Sequence, residues 1–302
     1  MNFGGNPEFA AMRNLDNQSR SEEIRASVER LVPHHDRVDR ALKDIEIKPE
    51  DFSDLYSEER IAQDGVYVTD REARFAQTDQ EALPGTHGLT RGDVRKLSDI
   101  AEFSVIKGLN QGQWIPYCGA IKTSRYDDIA NGVDSVLEFA PPGQFANFGL
   151  SIDVSFSQNL ASKFERIKKE IDRFDPEDDQ NQLGYIRYFK SDKSGHKGRL
   201  TGLPRVVMAL DTKVVEDLYR IKDVRGHVAR HEVVRELEEQ LAVFTQYAGD
   251  TGSGAYDKLQ RAQNFVEVIS QHLGSEEALK RAEYTKNNQA SESIKRGLQI
   301  FQ

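Results

Sequence analysis

A single cysteine, Cys118, stands in a chain of 302 residues. That excludes an internal disulfide framework and a Cys-rich zinc site, and it agrees with a reducing compartment. Long apolar runs are missing as well. Stretches such as Val206 to Leu210 fall far short of the ~20 residues that span a bilayer, so no membrane partner is expected. The amino-terminal stretch MNFGGNPEFAAMRNLDNQSR lacks a charged segment followed by an apolar one, as a secretory leader would have, and a cytoplasmic location is expected. Nor is positive charge in excess. Lys plus Arg number 41 against 50 Asp plus Glu, a net charge of −9, so a nucleic-acid site would have to be a local basic patch. The chain contains no Gly-x-x-x-x-Gly-Lys-Ser/Thr loop, no Gly-x-Gly-x-x-Gly after a strand and no His-Glu-x-x-His, the signatures of common nucleotide and zinc sites.

With 37% hydrophobic and 30% charged residues, the chain can bury a substantial core. Residues 1–20 are too polar to offset their ordering entropy and predict a disordered arm. Residues 21–90 predict a helical extension, broken at Pro33 and Pro49 and closed by the loop residues Pro84, Gly85 and Gly88. Residues 91–222 then change character. Val94, Leu97, Ile100, Ala101, Ile106 and Leu109 recur at helical spacing, followed by three β-like runs, WIPYCGAIKTS, GVDSVLEF and GLSIDVSFS,. In NLASKFERIKKEIDR, Leu160, Phe164, Ile167 and Ile171 form one helical stripe, and LPRVVMALD reads as a buried strand,. Residues 223–302 predict a helical region, with helices near 225–248 and 254–273 joined by GDTGSG and a polar stretch from Ser275 that frays,. The fold class is therefore α+β: helix, three-stranded meander, helix and strand, flanked by helices at both ends.

Alternation places the chemistry. On the second run Asp134, Val136 and Glu138 share a face; on the third, Ser151, Asp153, Ser155 and Ser157 form a polar strip opposite Leu150, Ile152 and Val154. If the strands are neighbours, Asp134 and Asp153 approach closely, and close carboxylates in a partly buried site call for a hard divalent cation such as Mg²⁺. The alternative is that both acids lie on the solvated face of a half-exposed sheet.

The element order, with the acids of NGVDSVLEF and SIDVSFS on the second and third strands, resembles the PD-(D/E)XK nuclease superfamily over roughly residues 91–211. The resemblance implies Mg²⁺ (or Mn²⁺) held by Asp134, Asp153 and the Val154 carbonyl, with Glu102 on the first helix as an outer ligand, and hydrolysis of DNA or RNA. The superfamily's third-strand lysine falls at Ser155, whose neutral hydroxyl supplies no positive charge for the water or phosphate. Lys163 on the following helix is the candidate replacement, with Lys122 on the first strand in reserve; either is alternatively a surface lysine. A fold of this kind without the chemistry, binding nucleic acid or a protein partner, or pairing with a second copy through the helical ends, is the other reading.

For phosphate contacts the strongest local feature is RYFKSDKSGHKGRLTGLPR from Arg187 to Arg205, with Lys190, Lys193, Lys197 and Arg199 at its centre,; a solvated loop is the alternative. His227 and His231 stand four apart on a predicted helix but lack two further zinc ligands, so ordinary surface or capping roles are expected. Pro33-His34-His35 reads as a helix boundary. Cys118 has no His partner in sequence and reads as core.

Overall fold

A computed structural model describes residues 22, 24–82, 89–139, 148–155, 160–178, 181–272 and 289–302. The expected arm at 1–20 lies outside the described residues, as do Ser157 and the loop at 83–88.

Helix α1 (24–31) leads through a short 3-10 turn at Val32–His34 into α2 (His35–Ile45), so Pro33-His34-His35 is indeed a helix boundary. Helix α3 (Glu58–Thr78) buries only Asp64. Helix α4 (Arg91–Asn110) is the central one. A capping box starts it: the Thr90 hydroxyl accepts the Asp93 N–H and the Asp93 carboxylate accepts the Thr90 N–H, both at 3.1 Å,. Its apolar face carries Leu97, Ile100, Val105 and Leu109 into the core.

Strands β1 (Cys118–Lys122), β2 (Ser135–Phe139) and β3 (Phe148–Ser155) form an antiparallel meander. Helix α5 (Ala161–Arg173) follows, and β6 (Arg205–Ala209) lies parallel to β3, giving a sheet in the order β1-β2-β3-β6. The register sets Lys122 opposite Ser135, Ser135 opposite Ile152 and Ile152 opposite Val206. Leu137, Phe139, Leu150, Ile152 and Val154 face the large core, as period-2 alternation requires.

The other face of the sheet is covered. Instead of a loop, the basic run forms a hairpin of β4 (Ile186–Lys190) and β5 (Lys197–Leu200). Ile186 and Phe189 of β4 pack with Val133 and Val136, and Leu200 joins them at the edge. A register shift between Ile186 and Phe189 brings both to the same side, so the strand shows no clean alternation and its Lys and Arg residues hide it further. Ser151, Asp153 and Ser155 are consequently buried, not on a solvated strip.

Helices α6 (Thr212–Arg220), α7 (Ala229–Thr251), α8 (Tyr256–His272) and α9 (Gln289–Leu298) complete the fold. The GDTGSG connector ends α7 with Gly252 in the left-handed conformation at φ 68°,. Helix α7 also serves the sheet edge. The Gln240 amide accepts the Val207 N–H at 2.8 Å and donates to the Val207 carbonyl at 2.7 Å, while Glu236 accepts the Ala209 N–H at 3.2 Å. These side chains occupy backbone groups of β6 that would otherwise be left open at the edge.

The stretch from Ser275 does not fray throughout. Its described part, α9, seats Ala290, Ile294 and Leu298 in the core together with Phe301. Those residues recur every three or four positions, a stripe too short to stand out among the polar residues of the segment. One buried cluster runs from Val28 to Phe301, so the helical extension, the sheet segment and the terminal helices share a core. Among the described residues no helix is long and apolar enough to cross a membrane.

Candidate functional site

The site begins at the turn before β2. Residues Asp127–Asn131 form a single π-helical turn. The buried Asp127 carboxylate holds it, accepting the Arg187 N–H and the Asn131 amide at 2.7 Å on one oxygen, and the Ser124 hydroxyl at 2.7 Å and the Tyr188 N–H at 3.0 Å on the other. Burial keeps its pKa above the ordinary value despite these donors,. Gly132 leaves the turn at φ 62°, and a Cβ there would lie 1.5 Å from Arg166 Nη1.

Two residues later the chain enters the sheet. The Asp134 N–H donates to the Ile152 carbonyl at 2.9 Å, and the Asp134 carboxylate accepts the Val154 N–H at 2.7 Å. One step beyond the paired Ser135 and Ile152, the two chains carry Asp134 and Asp153. Lys163, in the first turn of α5, reaches both Asp153 and its neighbour. Its ammonium donates to the Asp153 carboxylate and, at 3.1 Å, to the Val154 carbonyl. Asp134, Asp153, Val154 and Lys163 are thus in one place, at the same end of the sheet.

A second group adjoins it. Lys122 on β1 pairs with Glu102 of α4 at 2.8 Å and with Asp128 at 3.3 Å. Asp128 also binds Arg125 at 2.8 Å, and the Ser135 hydroxyl donates to Glu102 at 3.4 Å. Asp128 and Arg125 escape a strand-based reading of the sequence. The only signal is the Asp127-Asp128 doublet six residues ahead of Asp134, in a stretch without a recognisable period.

Charge does not cancel here. Glu102, Asp128, Asp134 and Asp153 face Lys122, Arg125 and Lys163, four carboxylates against three cations. Burial raises Asp134 well above the ordinary carboxylate range, with Asp153, Asp128 and Glu102 adding to the shift and Lys163 opposing it,. Burial likewise lifts Glu102 to about 7, against the pull of Lys122. Asp128 goes the other way: burial would raise it, but Lys122 and Arg125 hold it low. The cluster is left with net negative charge around Asp134, which a bound cation would offset.

Two carboxylates and a backbone carbonyl are hard oxygen donors of the kind Mg²⁺ takes, completed by water. Among the described residues no three His, Cys, Asp or Glu side chains are grouped to hold a metal ion, so an ion here would have only two carboxylates and the Val154 carbonyl from the protein. Ser155 is buried and its hydroxyl is no substitute for a lysine.

The predicted phosphate contacts lie elsewhere. Lys190, Lys193, Lys197 and Arg199 are exposed on the hairpin. Its tip is tied to β2 by the Ser191 hydroxyl, 2.6 Å from one Glu138 oxygen, and Glu138 is four residues along the strand from Asp134, ~13 Å at the usual rise. Lys190 and Lys197 are cross-strand partners, and Lys197 is paired with Asp54 at 2.6 Å. His227 stacks on Trp114 with ring centroids 6.4 Å apart, and His231 is buried beside Arg230. Among the described residues neither histidine joins a ligand group. Cys118 is a free thiol at the start of β1, pushed up in pKa by burial, which suppresses nucleophilicity at neutral pH.

Compared with known protein families, curated proteins and solved structures, the chain matches none.

Proposed function

We propose that this chain is a metal-dependent phosphodiesterase of the PD-(D/E)XK type acting on DNA or RNA. The observation that carries the reading is the convergence of Asp134, Asp153, the Val154 carbonyl and the Lys163 ammonium at one end of the sheet. Acids from two adjacent strands and a lysine from the next helix are the parts such hydrolysis needs, and the strand order β1-β2-β3-β6 agrees with the resemblance read in the sequence. Asp134, Asp153 and the Val154 carbonyl would hold Mg²⁺ or Mn²⁺, with Glu102 behind them. The ion, when bound, supplies a Lewis acid for a phosphate oxygen and acidifies a water. Lys163 supplies the positive charge absent at Ser155, positioned to offset charge developing on the phosphate. An ion bound there would offset the charge that burial and the neighbouring carboxylates make costly on Asp134, and Lys122 would keep Glu102 and Asp128 from repelling the substrate. Lys190, Lys193, Lys197 and Arg199 would meet phosphates further along the nucleic acid. A cytoplasmic location belongs to the same proposal, in keeping with the unpaired Cys118 thiol,.

A second reading keeps the fold and discards the chemistry, leaving a nucleic-acid-binding or protein-interaction module. It is favoured by the ion pairs that already engage both lysines, Lys163 with Asp153 and Lys122 with Glu102, and by Ser155 at the lysine position.

Thermal melts with and without Mg²⁺ or Mn²⁺, beside a cleavage assay on mixed DNA and RNA, test the proposal. The wild type is expected to cleave and to gain metal-dependent stability that Asp134→Ala/Asp153→Ala loses. An identical shift in both proteins would remove the ion from this site, and a metal-bound wild type that cleaves nothing would leave the second reading.

A further inference from the structure

The two halves of this site come from distant parts of the chain: Asp134 from a turn before β2, Lys163 from helix α5. A single buried side chain touches both supports. Arg205, the first residue of β6, is only 4% exposed. One arm of its guanidinium donates to the Asn131 carbonyl at 2.9 Å and another to the Gly132 carbonyl. The remaining donors go to Glu170 of α5, at 2.8 Å from Nη2 and 3.1 Å from Nε.

Those carbonyls belong to the left-handed exit of the π-helical turn, two and three residues before Asp134. A chain end in this conformation has unsatisfied carbonyls, and here a planar fork of donors fixes their direction. Glu170 lies seven residues after Lys163, two turns along the same face of α5. Holding Glu170 therefore also fixes the helix from which Lys163 reaches Asp153. Arg166, one turn after Lys163, also lies against this turn, its Nη1 filling the space beside Gly132.

We propose that Arg205 is a positioning residue, locked by Glu170, that sets the Asp134 carboxylate against the Val154 N–H and thereby the spacing of Asp134 and Asp153. Its value for catalysis rests on the phosphodiesterase reading; its effect on Asp134 does not. A guanidinium spreads over two carbonyls and one carboxylate, and a lysine can replace only part of that set.

The test reads the Asp134–Val154 hydrogen bond directly, by amide exchange of the full-length protein followed by NMR. In Arg205→Met the Val154 amide is expected to exchange at least ~10-fold faster, an opening of that one bond. The Leu210 amide, one residue past β6 and bonded to the Ser155 carbonyl at 3.2 Å, and the Val207 amide, bonded to Gln240, are expected to keep their protection. Arg205→Lys should recover part of the loss, which a general loosening of the sheet would not. Glu170→Gln keeps the buried guanidinium and weakens its lock, so it should raise Val154 exchange by a smaller factor; it carries the test if Arg205→Met does not fold. Unchanged Val154 exchange in a folded Arg205→Met, or in Glu170→Gln where Arg205→Met is unfolded, overturns the proposal, as does equal loss of protection at Val154, Val207 and Leu210. Mn²⁺ titration of the same proteins separates the two readings. A wild type that binds no Mn²⁺ refutes the metal site alone, because the exchange result stands apart from it.

Discussion

Lys122 and Glu102 are paired at 2.8 Å with 5% and 7% of their side chains exposed, so neither charge has water to fall back on. Removing one member of a buried pair is more costly than never having had it, about 3–5 kcal/mol, because the other is left unpaired. Lys122→Met should therefore destabilise strongly, and the size of the loss should depend on pH. Glu102 is raised above the unfolded value of 4.5 even with its partner present. An acid with a raised folded pKa loses stability as pH climbs from the unfolded value through the folded one, and loss of Lys122 widens that window upward. Urea denaturation at pH 5 and pH 8 checks it. Part of the deficit is expected already at pH 5, because Asp128 also loses Lys122, and it should grow by pH 8 as Glu102 ionises, with Lys122→Met/Glu102→Gln recovering the pH-dependent part.

Glu236 gives a separate pH signature, at the edge of β6. One of its oxygens accepts the Ala209 N–H while the other is buried with no partner. Burial, then the charge of Glu232, raises its pKa well above the 4.5 of an exposed glutamate. Stability contributed by the protonated form is complete at acidic pH and declines as pH rises above 4.5, by about 1.4 kcal/mol for each pH unit until the folded pKa is passed. Glu236→Gln can still accept the Ala209 N–H and has nothing to ionise. It should match the wild type near pH 4 and exceed it at pH 8 in thermal melts; a variant less stable than wild type at pH 8 would contradict the assignment.

Period-2 alternation in GVDSVLEF and GLSIDVSFS is strong because one face of each strand packs on helices, and it is enough to read β2, β3 and the placement of Asp134 and Asp153. The apolar run of β6 is legible for a different reason: it is buried along its whole length and so reads as a continuous apolar stretch. Lys163 stands out only because Ser155 leaves a charge missing, and its reach to Asp153 depends on how α5 leaves the sheet, which no pattern encodes. The hairpin is hidden by its own lysines: the buried set Ile186, Tyr188 and Phe189 is interrupted by Arg187 and followed by Lys190, and its packing partners Val133 and Val136 lie some fifty residues away in sequence. The Asp127 turn and the Arg205–Glu170 clamp are made by long-range hydrogen bonds, which leave no periodic trace. Helix α9 escapes because six of its ten residues are polar and its apolar stripe is barely three turns long.

That helix offers a test in which two effects compete. At Gly297 an added Cβ would come within 2.1 Å of the Phe164 ring, itself wholly buried. Alanine in place of glycine favours a helix by up to ~1 kcal/mol, whereas overpacking a rigid core costs ~1–3 kcal/mol. Since the Phe164 ring is wholly buried between the rings of Phe244 and Phe301, the packing cost should win and Gly297→Ala should lower the unfolding free energy by at least ~1 kcal/mol. A stabilised variant would mean that α9 does not sit against α5 as described.

Neutralising Lys190, Lys193, Lys197 and Arg199 together should have little effect on the fold. Their side chains are exposed, and an exposed pair such as Lys197 with Asp54 is worth at most ~1 kcal/mol. Nucleic-acid binding should respond differently. For every phosphate that the variant leaves without a cation, the slope of log K against log salt flattens by about 0.9 on duplex or 0.7 on single strands. Binding measured at several salt concentrations checks this, and an unchanged slope in the quadruple variant would assign the hairpin a purely structural role.

The lysine that replaces Ser155 in charge makes the most discriminating prediction. Lys163 now binds Asp153 and the Val154 carbonyl, the same oxygens the proposal assigns to a metal. Its ammonium is thus both a competitor for those ligands and the charge needed once the ion is bound. The two roles have opposite signs on removal. Lys163→Ala should bind Mg²⁺ or Mn²⁺ at least as tightly as the wild type, since the competitor is gone, while turnover falls at least ~100-fold, the lower end of what a positioned proton-transfer or charge-stabilising group contributes. Metal-dependent melting and single-turnover cleavage, measured on one preparation, read both. Near-normal cleavage would discard Lys163 as the working cation. Weaker metal binding would show that its ammonium supports the ligand set and does not compete for it.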